Sequence, residues 1–368
     1  MIKIAYDHQA FASQHVGGIT RYFYELAKRI DRTDKFRADI VAPVHFNSYL
    51  RAGEVRVYGK YIPPIPRTGN VIRALNTALS PMLFRMLRPS ILHETYYSSK
   101  RLAPAGTPVV ITVYDMVHEV IPIAFRAEDP TSRNKRSAVE RADHVICVSE
   151  NTRKDLVELF GVPISKTSVI HLGSTFTLSE TEDIDALREL KRPFLLYVGH
   201  RGHWKNFHGL LKAYSSSPVL RRDFALVTFG GGPLSRAEEN GIRAVGLAEG
   251  SVRQISGSDA VLASLYRKAS LFVYPSLYEG FGIPPLEAMG FDCPVACSNT
   301  SSIPEVVGDA AILFDPADID SMRSAIEEVV GSDDKKADLI RRGRERIKLF
   351  SWRRCATETS AIYRRIAN

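Results

Sequence analysis

The chain has 368 residues, of which 45% are hydrophobic and 24% charged, and its formal net charge is +8. That length exceeds what one hydrophobic core usually supports, so we expect two domains. No apolar run approaches the ~20 residues that span a bilayer, and no nucleic-acid-binding module accompanies the Lys and Arg residues, which argues against a transmembrane protein and against a nucleic-acid partner.

The beginning of the chain predicts a cytoplasmic protein. Residues 1–7 have the pattern of a short strand that ends in a charge, not of a basic segment leading into an apolar core. The cysteines form no CxxC pair and no Cys/His cluster, so we expect packing residues and no metal ligands. They are Cys147, Cys293, Cys297 and Cys355.

Strand-like runs alternate with helical stretches along the chain, which predicts an α/β protein with two parallel, doubly wound sheets. The first series has predicted strands at 2–6, 38–42, 91–93, 108–113 and 144–148. The second series has them at 194–198, 224–229, 251–255, 271–275, 294–297 and 311–314. The expected organisation is a Rossmann-like domain over 1–175, a linker over 176–192, a second Rossmann-like domain over 193–350 and a terminal segment over 351–368.

In the first half, two segments stand out. Gly17 and Gly18 follow the first strand and open a helical run, where a Gly pair either cradles a phosphate with backbone donors or serves a turn. Residues 67–88 combine an apolar helical stripe with Arg and no acid. Such a segment suits either an anionic membrane surface or a half-buried helix, and Pro81 is expected to break or kink it.

In the second half, the strand at 194–198 ends in Gly199-His200-Arg201 and is followed by Lys205. Cations after a strand end either offset the charge of a bound diphosphate or lie solvated on a loop.

The most informative segment is 271–290, LFVYPSLYEGFGIPPLEAMG, which has the pattern strand, turn, helix. Gly280 and Gly282 permit close backbone approach to a ligand, and Pro284 or Pro285 suits the first helical position. Glu287 then lies in or near the first helical turn. Two glutamates, Glu279 and Glu287, enclosing Gly-Phe-Gly resemble the signature of retaining glycosyltransferase family 4, which has the GT-B fold.

The resemblance implies two Rossmann-like domains facing a central cleft, an acceptor domain over 1–175 and a nucleotide-sugar donor domain over 193–350. It also implies that the terminal segment, 351–368, is a helix that packs back on the first domain. It implies that Glu279 lies beside the donor sugar and that Glu287 binds the nucleotide ribose. It also implies that Lys205 and Arg201 bind the donor diphosphate. The other donor-binding candidates that it implies are Gly17, Gly18, Gly231, Gly280, Phe281, Gly282 and Ile283.

The chain departs from the family pattern in two places. His200 stands where relatives usually carry Arg, and Tyr114 stands where many carry a His that reaches the donor sugar. His118 either takes over that contact, as a catalytic residue, or caps a local turn. Tyr96, Tyr114 and Asp115, which follow strand ends, are the acceptor-side candidates.

The implied reaction is metal-independent hexosyl transfer, with retention, from a GDP- or dTDP-linked mannose or deoxyhexose. The acceptor is a glycan or a polyprenyl-diphosphate-linked glycan in surface polysaccharide assembly, at the inner face of the cell membrane. We interpret the Asp-x-Asp motifs at 183–185 and 318–320 as structural and expect no cofactor. The alternatives are a nucleotide-sugar epimerase of GT-B architecture and a non-catalytic sugar-binding protein.

Overall fold

The structure is a computed structural model that describes residues 1–31, 35–174 and 192–367. The chain divides into two compact units. Unit 1 comprises Met1–Gly173 and Ser351–Asn368, and unit 2 comprises Ser174–Phe350. All but the last residue of the predicted linker, 176–192, lies outside the described residues.

Unit 1 contains a parallel sheet of seven strands in the order β3-β2-β1-β4-β5-β6-β7. The strands are β1 (Ile2–Tyr6), β2 (Phe36–His45), β3 (Arg56–Tyr61), β4 (Ile91–Glu94), β5 (Val109–Val113), β6 (His144–Cys147) and β7 (Thr167–Val169). The helices are α1 (Gly18–Ile30), α2 (Gly69–Leu87), α3 (Val117–Val120), α4 (Thr131–Arg141), α5 (Glu150–Phe160) and, at the end of the chain, α14 (Trp352–Ala367).

Unit 2 contains a parallel sheet of six strands in the order β10-β9-β8-β11-β12-β13. The strands are β8 (Phe194–Val198), β9 (Ala225–Phe229), β10 (Val252–Ile255), β11 (Leu271–Tyr274), β12 (Val295–Ser298) and β13 (Ile312–Phe314). The helices are α6 (Phe207–Ser216), α7 (Pro218–Asp223), α8 (Arg236–Ala244), α9 (Asp259–Lys268), α10 (Ile283–Gly290), α11 (Ile303–Val307), α12 (Ile319–Val330) and α13 (Asp333–Arg346).

These sheets confirm the predicted α/β class with two Rossmann-like domains. Every residue of β5 and β8 is buried, as their lack of polar alternation predicts for strands covered on both faces. Two strands, β3 and β7, were not predicted. Both are edge strands, and most residues of β3 are exposed or half-buried, so the apolar signal is weak. Gly59 in β3 is required, since a Cβ there would lie 1.7 Å from the carbonyl oxygen of Ala42.

The last helix, α14, belongs to unit 1 and packs against α1. Its Tyr363 hydroxyl lies 2.6 Å from Nδ1 of His93 in β4 and 3.2 Å from the hydroxyl of Tyr6 in β1. Burial lowers the pKa of His93 to about 3, so the imidazole is neutral in this network. The four cysteines are free and buried, as expected of packing residues.

Helix α2 runs without interruption from Gly69 to Leu87, so Pro81 does not end it. The helices within residues 1–31, 35–174 and 192–367 include none that is long and apolar enough to cross a membrane.

Candidate functional site

The predicted donor corner lies at the topological switch point of unit 2. Its strand order is that of a doubly wound sheet, with β8 and β11 adjacent at the centre. The connections from these two strands leave toward opposite edges of the sheet, which opens a crevice beyond their carboxyl ends where ligands bind in such folds. Residues 199–206 follow β8 and residues 275–282 follow β11. Lys205, Arg201 and Glu279, which the sequence analysis singled out for donor binding, lie in these two loops.

An ion pair joins the two loops. Lys205 Nζ lies 2.5 Å from Glu279 Oε1, and the side chains are 20% and 13% exposed. The Leu277 N–H donates to the Trp204 carbonyl oxygen at 2.7 Å, which fixes one loop against the other. The Lys205 ammonium also lies 5.7 Å from the centre of the Tyr274 ring. The structure therefore brings together a cation and a carboxylate that are 74 residues apart in the sequence.

Two serines that the sequence analysis did not single out hold Glu279. Its N–H donates to Ser301 Oγ at 3.0 Å, and its carbonyl oxygen accepts from Ser302 Oγ at 2.8 Å. The Ser302 hydroxyl also lies 2.9 Å from the Phe281 carbonyl oxygen. Both serines follow β12, the strand beside β11, so their position after a strand end was the available signal. Glu279 is consequently held at its backbone as well as at its carboxylate.

Glu287 lies on the helix that follows this loop. Helix α10 begins at Ile283, after Gly282 at a φ of 104°, which favours glycine. Pro284 is therefore the second helical residue, and Glu287 lies just beyond the first turn, which holds no acid. The Tyr266 hydroxyl donates to Glu287 Oε2 at 3.4 Å, and burial, then the nearby Glu287 charge, raise the pKa of Tyr266 well above its usual value.

The start of α10 offers few amide donors to an anion. Proline has no N–H, so of the first three helical residues only Ile283 carries one. A diphosphate at this end would need a further source of positive charge, and Lys205 stands in the adjoining loop.

Arg201 is almost fully buried, with its side chain 3% exposed. Its Nε lies 2.5 Å from Glu238 Oε1, and its Nη1 donates to the Gly230 carbonyl oxygen at 2.7 Å. Its Nη2 donates to the carbonyl oxygens of Gly232 and Pro233 at 2.9 and 3.1 Å. The glycines at 230, 231 and 232 all have positive φ, so the guanidinium braces a loop that only glycine forms without strain. His200, at the family's Arg position, is exposed.

In unit 1, the predicted glycine loop begins α1. A Cβ on Gly17 would lie 2.4 Å from Gln14 Oε1, whereas a Cβ on Gly18 would meet nothing within 4 Å. Gly17 is thus required for packing of the loop itself. Gly18 faces open space, as a residue that admits a ligand to the backbone would.

The acceptor-side candidates have different environments. The Tyr114 hydroxyl donates to the Thr95 carbonyl oxygen at 2.9 Å, which is a structural contact. Asp115 accepts from the Val117 N–H at 3.2 Å and lies 3.7 Å from Nζ of the fully buried Lys135. The Tyr96 ring packs on Tyr97, with 4.7 Å between ring centres, and burial, then the Asp115 charge, raise the pKa of Tyr96 to about 12.

His118 stacks on Phe125, with 3.7 Å between ring centres, and its Nε2 lies 3.8 Å from Asp129. Burial, then the charge of Lys135, lower the pKa of His118, so the neutral ring is favoured. Its Nδ1 is buried and makes no hydrogen bond to any described residue. The catalytic role suggested for His118 stays a prediction.

A cavity of about 630 Å³ opens in unit 1, a volume typical of small-molecule sites. Tyr96 lines it, and Tyr114 and Asp115 do not. Sequence reasoning missed the cavity because its walls come from five separate stretches of the chain. The polar lining includes His8, Gln9, Arg73, Thr77, Lys100 and Asn134.

The structure describes one of the two Asp-x-Asp motifs that the sequence analysis interprets as structural. Asp318 caps α12 by accepting from the N–H groups of Asp320 and Ser321 at 2.9 and 3.2 Å, as the structural interpretation predicts. The motif at 183–185 lies outside the described residues. Within the described part of the chain, no three His, Cys, Asp or Glu side chains are grouped so as to hold a metal ion.

Comparison with known proteins places this geometry in a family. The model of "Glycosyl transferases group 1" matches residues 179–346, and that of "Glycosyltransferase Family 4" matches residues 16–174. The chain is 30% identical to O-antigen chain mannosyltransferase B of Escherichia coli, over 94% of this chain and 96% of that protein.

Solved structures agree on the fold. Sucrose-phosphate synthase from Thermosynechococcus elongatus superposes with a TM-score of 0.77 at 20% identity, over 100% of this chain and 99% of that one. HepE of Anabaena, solved in complex with UDP-glucose, gives a TM-score of 0.74 at 19% identity, over 98% and 100%. This chain therefore belongs to the family 4 glycosyltransferases and is a glycosyltransferase with the GT-B fold.

Proposed function

We propose that this glycosyltransferase moves mannose, with retention at the anomeric carbon, from a nucleoside diphosphate sugar to a glycan acceptor in surface polysaccharide synthesis. The observation that carries the proposal is the Lys205–Glu279 ion pair beyond β8 and β11, with Glu287 on the adjoining helix. The E. coli relative, whose match covers 94% of this chain, is an O-antigen chain mannosyltransferase and supports the choice of sugar.

Charge compensation at the leaving group is assigned to Lys205. Cleavage of the bond between sugar and diphosphate leaves additional negative charge on the terminal phosphate, and a fixed cation there stabilises the transition state. Since α10 begins with two prolines, its amides supply little of that compensation. Positive charge at the diphosphate must then come from a side chain, and we propose Lys205 as the main cation. We also propose that transfer needs no metal ion. His200, which is exposed in the same loop, is a further side chain that could donate a hydrogen bond to the phosphates.

Glu279 and Glu287 are assigned to the sugar and the ribose. Carboxylates accept hydrogen bonds from paired hydroxyls, and both side chains are half-buried, which strengthens such bonds. In the free protein Glu279 is paired with Lys205. Arrival of a diphosphate would draw the ammonium toward the phosphates and free the carboxylate for the donor sugar.

The chemical step follows a front-face course. The acceptor hydroxyl attacks the anomeric carbon on the side from which the diphosphate departs, and a phosphate oxygen of that leaving group takes the hydroxyl proton. One glycosidic bond forms as the sugar–phosphate bond breaks, and the configuration is retained. The protein contributes orientation and electrostatics.

Arg201 is assigned to positioning. Its donors are occupied by Glu238 and by carbonyl oxygens of the glycine loop at 230–233. Through this bracing it sets the shape of the loop in which Gly231, a donor-binding candidate, lies.

The acceptor is assigned to the cavity of unit 1. Its volume of about 630 Å³ accommodates one or two sugar rings, and its lining mixes hydroxyl, amide and cationic groups with the Tyr96 ring. Sugars are recognised by such combinations of hydrogen-bonding groups and aromatic faces.

Thermal shift against GDP-mannose, dTDP-linked deoxyhexoses and UDP-glucose tests the donor assignment. A donor at a hundred times its Kd stabilises the folded state by about 2.7 kcal/mol, so the correct nucleotide sugar raises Tm by several degrees. We expect GDP-mannose to give the largest shift and Glu287→Ala to reduce it. Equal, negligible shifts for all donors would contradict the assignment.

A further inference from the structure

A buried histidine, His8, turns one ring nitrogen toward the cavity of unit 1. His8 lies just after β1, is 3% exposed and lines the cavity. Its Nδ1 lies 3.0 Å from Oγ of Ser80, on α2. Its Nε2 has no hydrogen-bond partner among the described residues, yet it is not one of the fully enclosed side-chain atoms. Because the rest of the side chain is buried, the open space beside Nε2 is the cavity.

The hydroxyl of Ser80 determines which ring nitrogen of His8 carries the proton. Burial, offset only in part by the charge of Asp7, lowers the pKa of His8, so the ring is neutral and holds one N–H. Ser80 is fully buried, and within the described part of the chain its Oγ has no other partner. A buried hydroxyl proton without an acceptor is costly, so Ser80 donates to Nδ1 and the imidazole proton lies on Nε2. His8 therefore presents a hydrogen-bond donor to the cavity.

The backbone around His8 is held in place before any ligand arrives. The Asp7 carboxylate accepts from the N–H groups of Gln9 and Thr95 at 3.2 and 3.0 Å, which ties the segment after β1 to the segment after β4. Ser80 lies well inside α2, a helix of 19 residues. A donor fixed in this way loses little conformational entropy when it binds a ligand.

The rest of the polar lining is also rich in donors. Arg73 and Lys100 are cations, and Gln9 and Asn134 carry amide groups. None of the described residues that line the cavity is Asp or Glu. Such a lining binds oxygen atoms that accept hydrogen bonds, and every ring of a glycan offers hydroxyl and ether oxygens.

We propose that His8 is a specificity-determining residue of this glycosyltransferase, whose Nε2–H donates a hydrogen bond to an oxygen atom of the acceptor glycan. The inference rests on the proposed function, which assigns the acceptor to this cavity. Ser80 is a positioning residue, since it acts on the acceptor only through the His8 ring. A nitrogen that already carries its proton cannot take one from the acceptor hydroxyl, so His8 binds the acceptor and leaves that proton to the donor phosphate.

Steady-state kinetics of three substitutions measures the contribution of this donor. His8→Asn keeps a polar atom near Ser80 but removes the donor at the Nε2 position, so the acceptor KM should rise about five- to tenfold while kcat and the donor KM stay near wild type. His8→Gln, whose longer amide reaches toward the Nε2 position, should restore most of the acceptor affinity. Ser80→Ala should raise the acceptor KM less than His8→Asn does, because the proton is then no longer confined to Nε2.

His144→Asn is the matched control. His144 is 4% exposed, its Nε2 lies 2.9 Å from Oγ of Ser168, and it does not line the cavity. The control should keep the wild-type acceptor KM even if its Tm falls. A His8→Asn variant that is folded and keeps the wild-type acceptor KM overturns the inference, and so does an equal rise of the acceptor KM in the control.

Nitrogen NMR of wild-type protein with isotope-labelled histidine tests the protonation state and needs no transfer. We expect the His8 signals, identified by their loss in His8→Asn, to show a protonated Nε2 and an unprotonated Nδ1. The Nε2 signal should shift when a mannose-containing oligosaccharide is added without nucleotide sugar. A proton on Nδ1, or an Nε2 signal that the oligosaccharide leaves unchanged, overturns the inference. Absence of transfer by wild type from GDP-mannose contradicts the proposed function instead, so the two failures are distinguishable.

Discussion

Replacing Lys205 with alanine removes the cation that we assign to the leaving diphosphate. Its Nζ lies 2.5 Å from Glu279, both side chains are largely buried, and the prolines of α10 leave that helix start poor in amide donors. A single preorganised group that stabilises transition-state charge is worth about 2.7–4 kcal/mol, so we expect Lys205→Ala to lower kcat by about 10²- to 10³-fold. Because the pair is largely buried, its loss also leaves the Glu279 carboxylate without its cation, so stability should fall by more than the ~1 kcal/mol typical of an exposed pair.

The assay is release of nucleoside diphosphate at saturating donor and acceptor, with Tm measured in parallel. Lys212→Ala is the matched control, because Lys212 is an exposed lysine on the neighbouring α6. It should keep kcat within about twofold of wild type, as surface substitutions away from a site usually do. The reasoning is refuted if Lys205→Ala, still folded, keeps both wild-type kcat and wild-type affinity for the nucleoside diphosphate.

Three further predictions concern other parts of the chain. Glu287→Ala should raise the donor KM about tenfold or more with little change in kcat, since a ribose contact is made equally in ground and transition states; an unchanged KM would remove Glu287 from the site. Gly18→Ala has free space for its Cβ, so Tm should stay constant while donor KM rises, and an unaltered KM would assign the loop to a turn only. His93→Gln should flatten the acid dependence of stability. The pKa of His93 is about 3 in the folded state and 6.5 in the unfolded state. The contribution of the buried neutral imidazole to the free energy of unfolding is therefore fully present above pH 6.5 and is lost as the pH falls toward 3. Urea unfolding of the variant between pH 6 and pH 4 should show a slope smaller by about 1.4 kcal/mol per pH unit, and an identical slope would contradict this protonation state.

The sequence predicted the sheets because strand-like runs alternate with helical stretches, and because several runs, such as β8 and β11, lack the polar alternation of a half-exposed strand. It missed β3 and β7 because edge strands face solvent and carry mixed residues. The donor corner was predictable for a related reason: Lys205 and Glu279 each follow a central strand, and parallel strands bring their carboxyl ends to one edge.

Side-chain partners were less accessible to sequence reasoning. Arg201 was a diphosphate candidate from the family resemblance, one residue past the family's Arg position, and only the structure shows its donors turned to the carbonyl oxygens of the glycine loop. The cavity of unit 1 depends on residues from distant segments, such as His8 and Asn134, which no local pattern connects.

The proposed reaction is tested most directly by incubating the protein with GDP-mannose, with and without a mannose-containing oligosaccharide, and identifying products by mass spectrometry and anomeric NMR. We predict an oligosaccharide one hexose larger, with the anomeric configuration of the donor, formed only when acceptor is present and lost in Lys205→Ala. Conversion of the nucleotide sugar without acceptor would indicate an epimerase, and an inverted linkage would contradict the front-face mechanism.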